Sequence, residues 1–313
     1  MMKPKYLKAG DTIGVIAPSS QVTEGKQQLV YNKLTQMGFK VKMGKSCYES
    51  YGYLSGTDEV RANDLNDMFL DKEVDGIICI RGGYGTPRIL GLLDYEGIKN
   101  NPKVFMGYSD ITALHIAMNQ LCGLVTFHGP MAASDMIGDF SDFSKESMFK
   151  AIGKNEVVGL LKNPQGEEIE TLNGGVAEGE IIGGNLSLIV ATIGSKYEID
   201  TKGKIFFVEE VEEQPYRIDR MLTQLRLAGK FDDAAGIVLG DWNGCDCPAQ
   251  TGEYEDSLTL RQVFEDIVVP VGKPTIFNLK SGHCEPKITI PFGVKARLDA
   301  DKKELRILES ATK

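Results

Sequence analysis

The chain has 313 residues, of which 42% are hydrophobic and 25% charged, as in an ordinary globular protein rather than a disordered or fibrous one. Because single hydrophobic cores stop growing at roughly 250 to 300 residues, this length predicts two domains. The formal net charge is −9, the sequence pI is near 5.1, and the Lys and Arg residues are scattered. These features argue against a nucleic-acid partner, which requires a concentrated positive surface.

The chain start, Met1–Gly10, is charged and leads into no apolar segment of the kind found in signal peptides. No apolar stretch approaches the roughly 18 to 20 residues that span a bilayer. The sequence therefore predicts a cytoplasmic protein without a membrane partner.

The first half of the sequence alternates short apolar runs with helical patterns, which is typical of βαβ units. The predicted strands cover 12–17, 39–43, 76–80, 104–108 and 124–127. The predicted helices cover about 23–37, 57–70, 86–93 and 110–121. Strands joined by helical crossovers predict a flavodoxin-like parallel sheet with helices on both faces, in a domain of residues 1–153.

A second domain is predicted after a weakly patterned segment. Residues 154–175, rich in Gly, Asn and Glu, are expected to be a linker. Residues 176–313 mix strand and helix patterns and end in alternating segments at 287–290, 294–298 and 304–308. This pattern predicts an α+β domain with a mixed or antiparallel sheet.

The cysteines predict neither a disulfide framework nor a metal site. Cys79 lies in an apolar run, where a thiol behaves as a small hydrophobic group. Cys245 and Cys247 are separated by one residue, which is shorter than the two to four residues usual between zinc ligands, and no second Cys/His pair follows. We therefore expect reduced thiols, no metal and no cofactor.

Three loops that follow predicted strands carry residues suited to ligand binding: Ala17–Ser20, Arg81–Gly85 and Gly107–Asp110. In open parallel sheets, ligands bind outside the carboxyl ends of the strands, near the point where the strand order reverses. The sequence therefore predicts a site built from these loops.

Ser109 is the candidate nucleophile. A strand that leads into Gly107 and a helix that starts at Asp110 would hold the Ser109 hydroxyl on a tight turn, with the Asp110 N–H directed at an oxyanion. The pattern departs from the G-x-S-x-G elbow because position 111 is isoleucine. The alternative is that Ser109 is simply an N-cap of the helix, and both interpretations remain open on local sequence alone.

The candidate general base is one of three histidines. His115 lies inside the predicted helix, on a different face from the turn, and a packing role is expected for it. His128 follows a strand in a Gly-Pro turn, where a structural role is also expected. His283 lies in a loop before a strand, and loops on rigid scaffolds are where catalytic groups concentrate, so His283 ranks first.

Glu209 is the candidate residue for orienting the histidine. It ends the apolar run that starts at Phe206, and a charge at a buried strand end needs a partner. The alternative is that Glu209, Glu210, Glu212 and Glu213 form a solvated acidic loop, as most acidic clusters do.

The glycine-rich segment Arg81–Gly85 lacks the Gly-Lys-Ser/Thr ending and the full spacing of a Walker motif, so it does not predict a nucleotide site. Its glycines instead allow backbone N–H groups to approach a reacting carbonyl. Gly82 and Gly83 are thus candidates for the second oxyanion donor.

Taken together, these segments resemble the LD-carboxypeptidase family of serine peptidases, which also contains the microcin C immunity peptidases. The match runs in order through nearly the whole chain, in Arg81–Gly85, Asn101–Thr112, Thr126–Pro130, Gly183–Ser187, Phe207–Glu209, Pro215–Leu222 and Ser281–His283. The resemblance implies a triad of Ser109, Glu209 and His283, with oxyanion donors from the backbone of Asp110 and of Gly82 and Gly83. It further implies a cleft between two domains, a homodimer and no metal.

The resemblance also implies a substrate class. The main branch of the family trims the terminal D-alanine from cytoplasmic murein tetrapeptides during cell-wall recycling, and the microcin branch cleaves an amide in a peptidyl-nucleotide. The Arg-Gly-Gly-Tyr-Gly form of residues 81–85 is typical of the murein branch. Arg81, beside Tyr84, is a candidate for binding the substrate carboxylate, and a structural ion pair is its alternative role. A catalytically silent flavodoxin-like binding module remains a hypothesis of another class.

Overall fold

A computed structural model describes residues 1–246 and 257–313 of the chain. The chain forms two compact units, each built from more than one segment. The N-terminal unit comprises residues 1–157, 289–294 and 310–313, and the C-terminal unit comprises residues 158–288 and 295–309.

Strands and helices alternate through most of the described residues. The strands are β1 (Thr12–Ile16), β2 (Lys40–Met43), β3 (Gly76–Cys79), β4 (Val104–Gly107), β5 (Thr126–His128), β6 (Val157–Leu161), β7 (Glu170–Asn173), β8 (Val176–Asn185), β9 (Ile205–Val211), β10 (Gly236–Asn243), β11 (Thr275–Phe277), β12 (Ile290–Phe292), β13 (Lys295–Asp299) and β14 (Glu304–Ser310). The α-helices are α1 (Lys26–Gln36), α2 (Asp58–Leu70), α3 (Thr86–Ile89), α4 (Tyr95–Asn100), α5 (Thr112–Ala117), α6 (Asp142–Ile152), α7 (Leu186–Ala191), α8 (Pro215–Leu227), α9 (Lys230–Asp233) and α10 (Leu260–Ile267).

The sheet of the N-terminal unit has the strand order β2-β1-β3-β4-β5-β12. The first five strands are parallel, and their order is that of flavodoxin-like folds, with the reversal between β1 and β3. Every residue of β3 and β4 is buried, which explains why these strands appear in the sequence as continuous apolar runs. The predicted parallel sheet is confirmed.

The sheet of the C-terminal unit has eight strands in the order β6-β14-β13-β8-β9-β10-β11-β7. Its centre, β8 to β11, is parallel, and β13 and β14 add to it as an antiparallel pair. The predicted mixed sheet of the C-terminal domain, with antiparallel strands near the chain end, is therefore confirmed.

Two segments differ from their predictions. Residues 154–175 were expected to be a linker, but they contain β6 and β7, which lie at the two edges of the C-terminal sheet. Both strands are only partly buried. β7 is mostly polar, whereas β6 is a short apolar run interrupted by Gly159, a residue type that is depleted in strands. The predicted strand at 287–290 is also displaced, because β12 starts at Ile290 and pairs with β5 in the N-terminal sheet rather than in the C-terminal one.

Helix α2 shows how local sequence fixes an element that supports the loops. The Thr57 side chain accepts a hydrogen bond from the Val60 N–H, and Asp58 and Glu59 lie in the first turn, where the helix dipole favours acidic groups. No helix within the described part of the chain is long and apolar enough to cross a membrane.

Candidate active site

Ser109 lies on a strained turn between β4 and α5. Its φ is +64°, a left-handed conformation that is uncommon for residues other than glycine and costs of order 1–3 kcal/mol. Residues 109–111 form a 3₁₀ turn before α5, and the Ser109 side chain is half-buried. A nucleophilic serine held on a strained strand-to-helix turn is the arrangement found in nucleophile elbows.

The N-cap interpretation of Ser109 is wrong. Tyr108 precedes the 3₁₀ turn and Ile111 precedes α5, and neither helix start has a side-chain cap hydrogen bond. Ile111, which departs from the elbow motif, is fully buried. A Cβ atom added to Gly107 would lie 2.9 Å from its Cγ1 atom, so Gly107 provides the space for this isoleucine.

The carboxylate of Asp110 connects the loops that follow β1, β3 and β4. Its Oδ2 atom accepts hydrogen bonds from Ser19 Oγ at 2.7 Å and from the Thr86 N–H at 2.9 Å. Burial raises the pKa of Asp110, and these hydrogen bonds lower it in part. Its Oδ1 atom is buried and has no partner among the residues described. The sequence predicts a role only for the backbone N–H of Asp110. The partners of its side chain are distant in the sequence, so no local pattern predicts these contacts.

Arg61 of α2 also connects the loops that follow β1 and β3, a role that the sequence does not predict. Its guanidinium is fully buried and donates to the carbonyl oxygens of Pro18, at 2.6 Å, and Gly85, at 2.9 Å. It also forms an ion pair with Asp58. A signal was present, since Arg61 occupies the i−4 position relative to the buried Leu65, on the apolar face of an amphipathic helix.

The glycine loop lies against the nucleophile. A Cβ atom added to Gly82 would lie 3.0 Å from Ser109 Cβ and 3.2 Å from Ser109 Oγ. Gly83 has a φ of +119°, and a Cβ atom there would lie 2.3 Å from Ser20 Oγ, which accepts a hydrogen bond from the Tyr84 N–H at 3.1 Å. Glycine is therefore needed at position 83, whereas a side chain at position 82 would require Ser109 to shift by a few tenths of an ångström.

Arg81 and Tyr84 lie at the ends of this loop. The Arg81 guanidinium donates to the carbonyl oxygens of Gly82, at 3.2 Å, and Gln21, at 3.1 Å. Its partners in the described part of the chain are therefore backbone carbonyls, and the alternative of a structural ion pair is not observed there. Tyr84 is 48% exposed, and its ring lies 5.8 Å from that of Tyr53.

His115 and His128 are buried in the N-terminal unit. His115 Nε2 donates to the Gly107 carbonyl oxygen at 2.9 Å, and burial lowers the pKa of His115 to about 4, so its ring is neutral at pH 7. It thereby fixes the end of β4 before the Ser109 turn. The His128 ring packs against the rings of Tyr108 and Phe292, at 6.0 and 5.3 Å. Both residues have the structural environment that the sequence predicts.

Glu209 and His283 form a pair within the C-terminal unit. Glu209, at the end of an apolar stretch of β9, is fully buried, and its Oε2 atom lies 2.7 Å from His283 Nδ1. A carboxylate can only accept, so Nδ1 carries the proton and Nε2 is the nitrogen able to take up another one. Gly282 has a φ of +116°, and a Cβ atom there would lie 2.5 Å from Glu209 Oε2, so glycine is needed for this contact.

The pKa of His283 results from opposing effects. Burial lowers it, whereas the negative charge of Glu209, its hydrogen bond and the charge of Glu210 raise it, and the net result is a pKa above the ordinary value of 6.5. A carboxylate that stabilises the protonated imidazole is what a general base needs when it takes a proton from a serine.

The solvated-loop alternative for the acidic cluster is wrong for its first two members, because Glu209 and Glu210 are both buried in β9. Glu210 accepts hydrogen bonds from Asn185 Nδ2 at 2.8 Å and from the Ser187 N–H and hydroxyl at 2.9 and 2.7 Å. Burial raises the pKa of Glu210, and these hydrogen bonds lower it in part. Glu210 thus fixes the start of α7, a role that the sequence analysis did not assign.

No group of three or more His, Cys, Asp or Glu side chains that could hold a metal ion occurs in residues 1–246 and 257–313. Cys245 is buried and its thiol is free, whereas Cys247, considered with it above, lies outside the described residues.

A serine on a strained turn at the carboxyl edge of a parallel sheet, and a histidine paired with a buried carboxylate, are the features that define the serine hydrolase class. Comparison with known families agrees. Residues 13–129 match the LD-carboxypeptidase N-terminal domain, and residues 178–298 match the LD-carboxypeptidase C-terminal domain. The chain belongs to the LD-carboxypeptidase family, and the predicted family and enzyme class, a serine-type carboxypeptidase, are confirmed.

Relatives and solved structures span the whole chain. A "Probable murein peptide carboxypeptidase" of Bacillus subtilis is 44% identical over 302 residues, covering 96% of this chain and 92% of that protein. The microcin C7 self-immunity protein MccF of Escherichia coli is 29% identical, covering 97% and 94%. A structure of MccF in complex with glutamyl sulfamoyl guanosine superposes with a TM-score of 0.91 at 26% identity over 100% of both chains. Muramoyltetrapeptide carboxypeptidase from Oxalobacter formigenes superposes with a TM-score of 0.80 at 27% identity, covering 95% and 97%.

Proposed function

We propose that this protein is a serine LD-carboxypeptidase that removes the terminal D-alanine from murein tetrapeptides in peptidoglycan recycling, with Ser109, Glu209 and His283 as its catalytic triad. The observation that carries the proposal is the contact between the buried Glu209 and His283, with its short Nδ1 to Oε2 distance of 2.7 Å. The positive φ of Ser109 supports it independently, since that strain has no evident structural purpose.

In the proposed mechanism, His283 Nε2 takes the proton of the Ser109 hydroxyl as Oγ attacks the carbonyl carbon of the peptide bond before D-alanine. The negative charge that develops on the carbonyl oxygen is stabilised by the N–H groups of Asp110 and of Gly82 or Gly83. The protonated His283 then gives its proton to the leaving amine of D-alanine, and Glu209 stabilises the imidazolium in between. Water, activated by His283, hydrolyses the resulting acyl-enzyme and regenerates Ser109.

The murein peptide is favoured over a peptidyl-nucleotide as substrate. The identity to the murein peptide carboxypeptidase, 44%, exceeds the 29% identity to MccF. The Arg81–Gly85 loop has the form typical of the murein branch, and Arg81, with Tyr84 beside it, is proposed to bind the carboxylate of the terminal D-alanine.

A paired assay tests the reaction and the substrate. The protein is incubated with a murein tetrapeptide or with an aminoacyl sulfamoyl nucleoside, and the products are identified by mass spectrometry. Ser109→Ala should abolish release of D-alanine, whereas Ser195→Ala, which alters an exposed serine of the C-terminal unit, should leave it unchanged. Cleavage of the nucleotide substrate alone would assign the protein to the microcin type.

Labelling with a fluorophosphonate adds a second readout of Ser109. Labelling of the wild type that is lost in Ser109→Ala supports an activated serine. Absence of both labelling and product with either substrate would favour the non-catalytic binding module.

The role of Arg81 is tested separately. Replacing Arg81 by Ala should raise the KM for the tetrapeptide about tenfold or more, because charge-assisted hydrogen bonds to a carboxylate contribute about 1.5–3 kcal/mol. Steady-state kinetics of Arg81→Ala measures this, and an unchanged KM would remove Arg81 from substrate recognition.

We further propose a homodimer located in the cytoplasm. Light scattering coupled to size exclusion tests the dimer, since a mass near the 34.3 kDa of one chain would contradict it. Fractionation of the cells that produce the protein tests the location.

A further inference from the structure

A cavity of about 750 Å³ lies in the N-terminal unit, away from Ser109. Asp11, Asp75 and Lys103 line it, and they immediately precede β1, β3 and β4. The cavity is thus at the amino-terminal edge of the sheet, whereas Ser109 follows the carboxyl end of β4. Four residues of a strand span about 13 Å, so the two places are distinct. The volume lies in the range of about 300–1,000 Å³ that small-molecule sites occupy.

The cavity is lined by five lysines, namely Lys5, Lys8, Lys72, Lys103 and Lys313. Within residues 1–246 and 257–313, none of their ammonium groups forms an ion pair with a carboxylate, although other lysines of the chain do. The chain carries a net charge of −9, so carboxylates are in excess. Unpaired cations gathered at one cavity raise the local concentration of anions.

The two aspartates of the lining offset only part of this positive charge, and both also bind the backbone. Asp11 Oδ2 accepts a hydrogen bond from the Lys8 N–H at 2.9 Å, and Asp75 Oδ2 accepts one from the Thr12 N–H at 2.8 Å. These carboxylates fix the chain at the start of β1, and the charge of Asp75 also acts on Lys103. The lining thus holds five ammonium groups against two carboxylates and is positive on balance.

Lys103 is the buried member of the set, with 7% of its surface exposed. Its ammonium donates to the carbonyl oxygen of Met68 at 2.7 Å and to that of Asp71, which leaves one of its three N–H groups for a ligand. Burial lowers the pKa of Lys103 to about 8, and the charge of Asp71 raises it in part, so the group is still mostly protonated at pH 7. A buried cation of this kind gains from an anion in the cavity that it lines.

We propose that this cavity binds a small, multiply charged anion, with the buried Lys103 and the exposed Lys5, Lys8 and Lys72 as its cationic donors. Lysine ammonium groups act as point charges and bind phosphate groups without the planar geometry that arginine imposes. The proposed ligand carries two or more negative charges on one compact group. Both a phosphorylated metabolite and a polycarboxylate have this chemistry.

Titration calorimetry of the full chain in the Ser109→Ala background tests the proposal without interference from turnover. Inorganic pyrophosphate and citrate serve as the two probes, and they distinguish a phosphate source from a carboxylate source. We expect saturable binding of one probe molecule per chain that weakens as salt is raised. The double variant Lys5→Glu/Lys8→Glu should raise the dissociation constant about tenfold or more.

The matched control is Lys26→Glu/Lys196→Glu, which makes the same change in net charge at two exposed lysines that do not line this cavity. Its dissociation constant should stay within about twofold of the parent. Lys103→Met, a buried substitution, should also weaken binding, and its folding is checked by its circular dichroism melt. Absence of saturable binding with both probes, or equal weakening by the cavity variant and the control, would overturn the proposal.

Discussion

The imidazole of His283 must be neutral to accept the serine proton, so the proposed reaction requires a pH above the pKa of His283. That pKa is raised above 6.5, because the charge and hydrogen bond of Glu209 outweigh the effect of burial. The activity should therefore increase with pH through this raised pKa and level off above it.

Replacing Glu209 by Gln is expected to have two effects. The side chain keeps its shape, but the negative charge is lost, so the pKa of His283 falls and the acidic limb of the kcat/KM profile moves to lower pH. The maximal kcat/KM should drop by up to about 10⁴-fold, the loss of kcat seen when the carboxylate of a serine-protease triad is made neutral.

A pH profile of kcat/KM for Glu209→Gln and for the control Glu212→Gln measures both effects. Glu212 is an exposed residue near the end of the same strand, so its variant should behave as the wild type. An acidic limb that does not move in Glu209→Gln would show that Glu209 does not set the pKa of His283.

The positive φ of Ser109 predicts a conflict between stability and activity. Glycine adopts φ near +64° without strain, whereas alanine does not. Both Ser109→Gly and Ser109→Ala should be inactive, but the glycine variant should be more stable than the alanine variant by about 1 kcal/mol. Urea denaturation of the two variants measures this difference, and equal stabilities would argue that the turn relaxes when the hydroxyl is removed.

At the scale of elements, the site depends on a helix that carries no proposed catalytic residue. Arg61 projects from α2 and donates to carbonyl oxygens in the loops that follow β1 and β3, while Asp110 accepts hydrogen bonds from the same two loops. Because these partners are buried, each hydrogen bond that is lost leaves an unsatisfied polar group.

Replacing Arg61 by Met is therefore expected to lower the free energy of unfolding by about 2–4 kcal/mol. Arg88→Met provides the control. Arg88 forms an ion pair with the same carboxylate, that of Asp58, but its side chain is 39% exposed, so its loss should cost less than about 1 kcal/mol. Chemical denaturation followed by circular dichroism compares the two, and losses of equal size would contradict the role given to the buried guanidinium.

At the scale of the whole molecule, the N-terminal unit is built from three separate segments of the chain. Its sheet is completed by β12, in which Ile290 and Phe292 are fully buried. Burial of two such side chains contributes about 3–6 kcal/mol, a large share of the stability of a typical domain.

A fragment of residues 1–153, the domain that the sequence predicts, should consequently lack a cooperative thermal transition. Without residues 289–294, the edge of β5 is unpaired and prone to associate with other chains. Appending residues 289–294 through a Gly/Ser linker should restore part of the transition. Circular dichroism melts and size exclusion of both fragments measure this, and a cooperative melt of the shorter fragment alone would be the contrary result.

Local patterns were sufficient to predict the parallel sheet, because buried strands such as β3 and β4 appear as continuous apolar runs. They also located Glu209, since a carboxylate at the end of an apolar strand is unusual. They could not predict that Ser19 and Thr86 donate to Asp110, because these contacts join residues 91 and 24 positions apart. For the same reason the sequence did not predict the pairing of β12 with β5. The short apolar pattern of β12 does not specify which sheet it joins.

The position of β12 in the chain also has a consequence during synthesis on the ribosome. The sheet that carries Ser109 stays incomplete until residue 292 has emerged, about 160 residues after β5, which takes roughly 8–30 s at typical rates of translation. By then Glu209 and His283 have already been made. The nascent chain thus completes the sheet that carries its serine only after the carboxylate and the histidine have been made, so the proposed hydrolase is produced without an earlier stage in which that sheet is complete on its own.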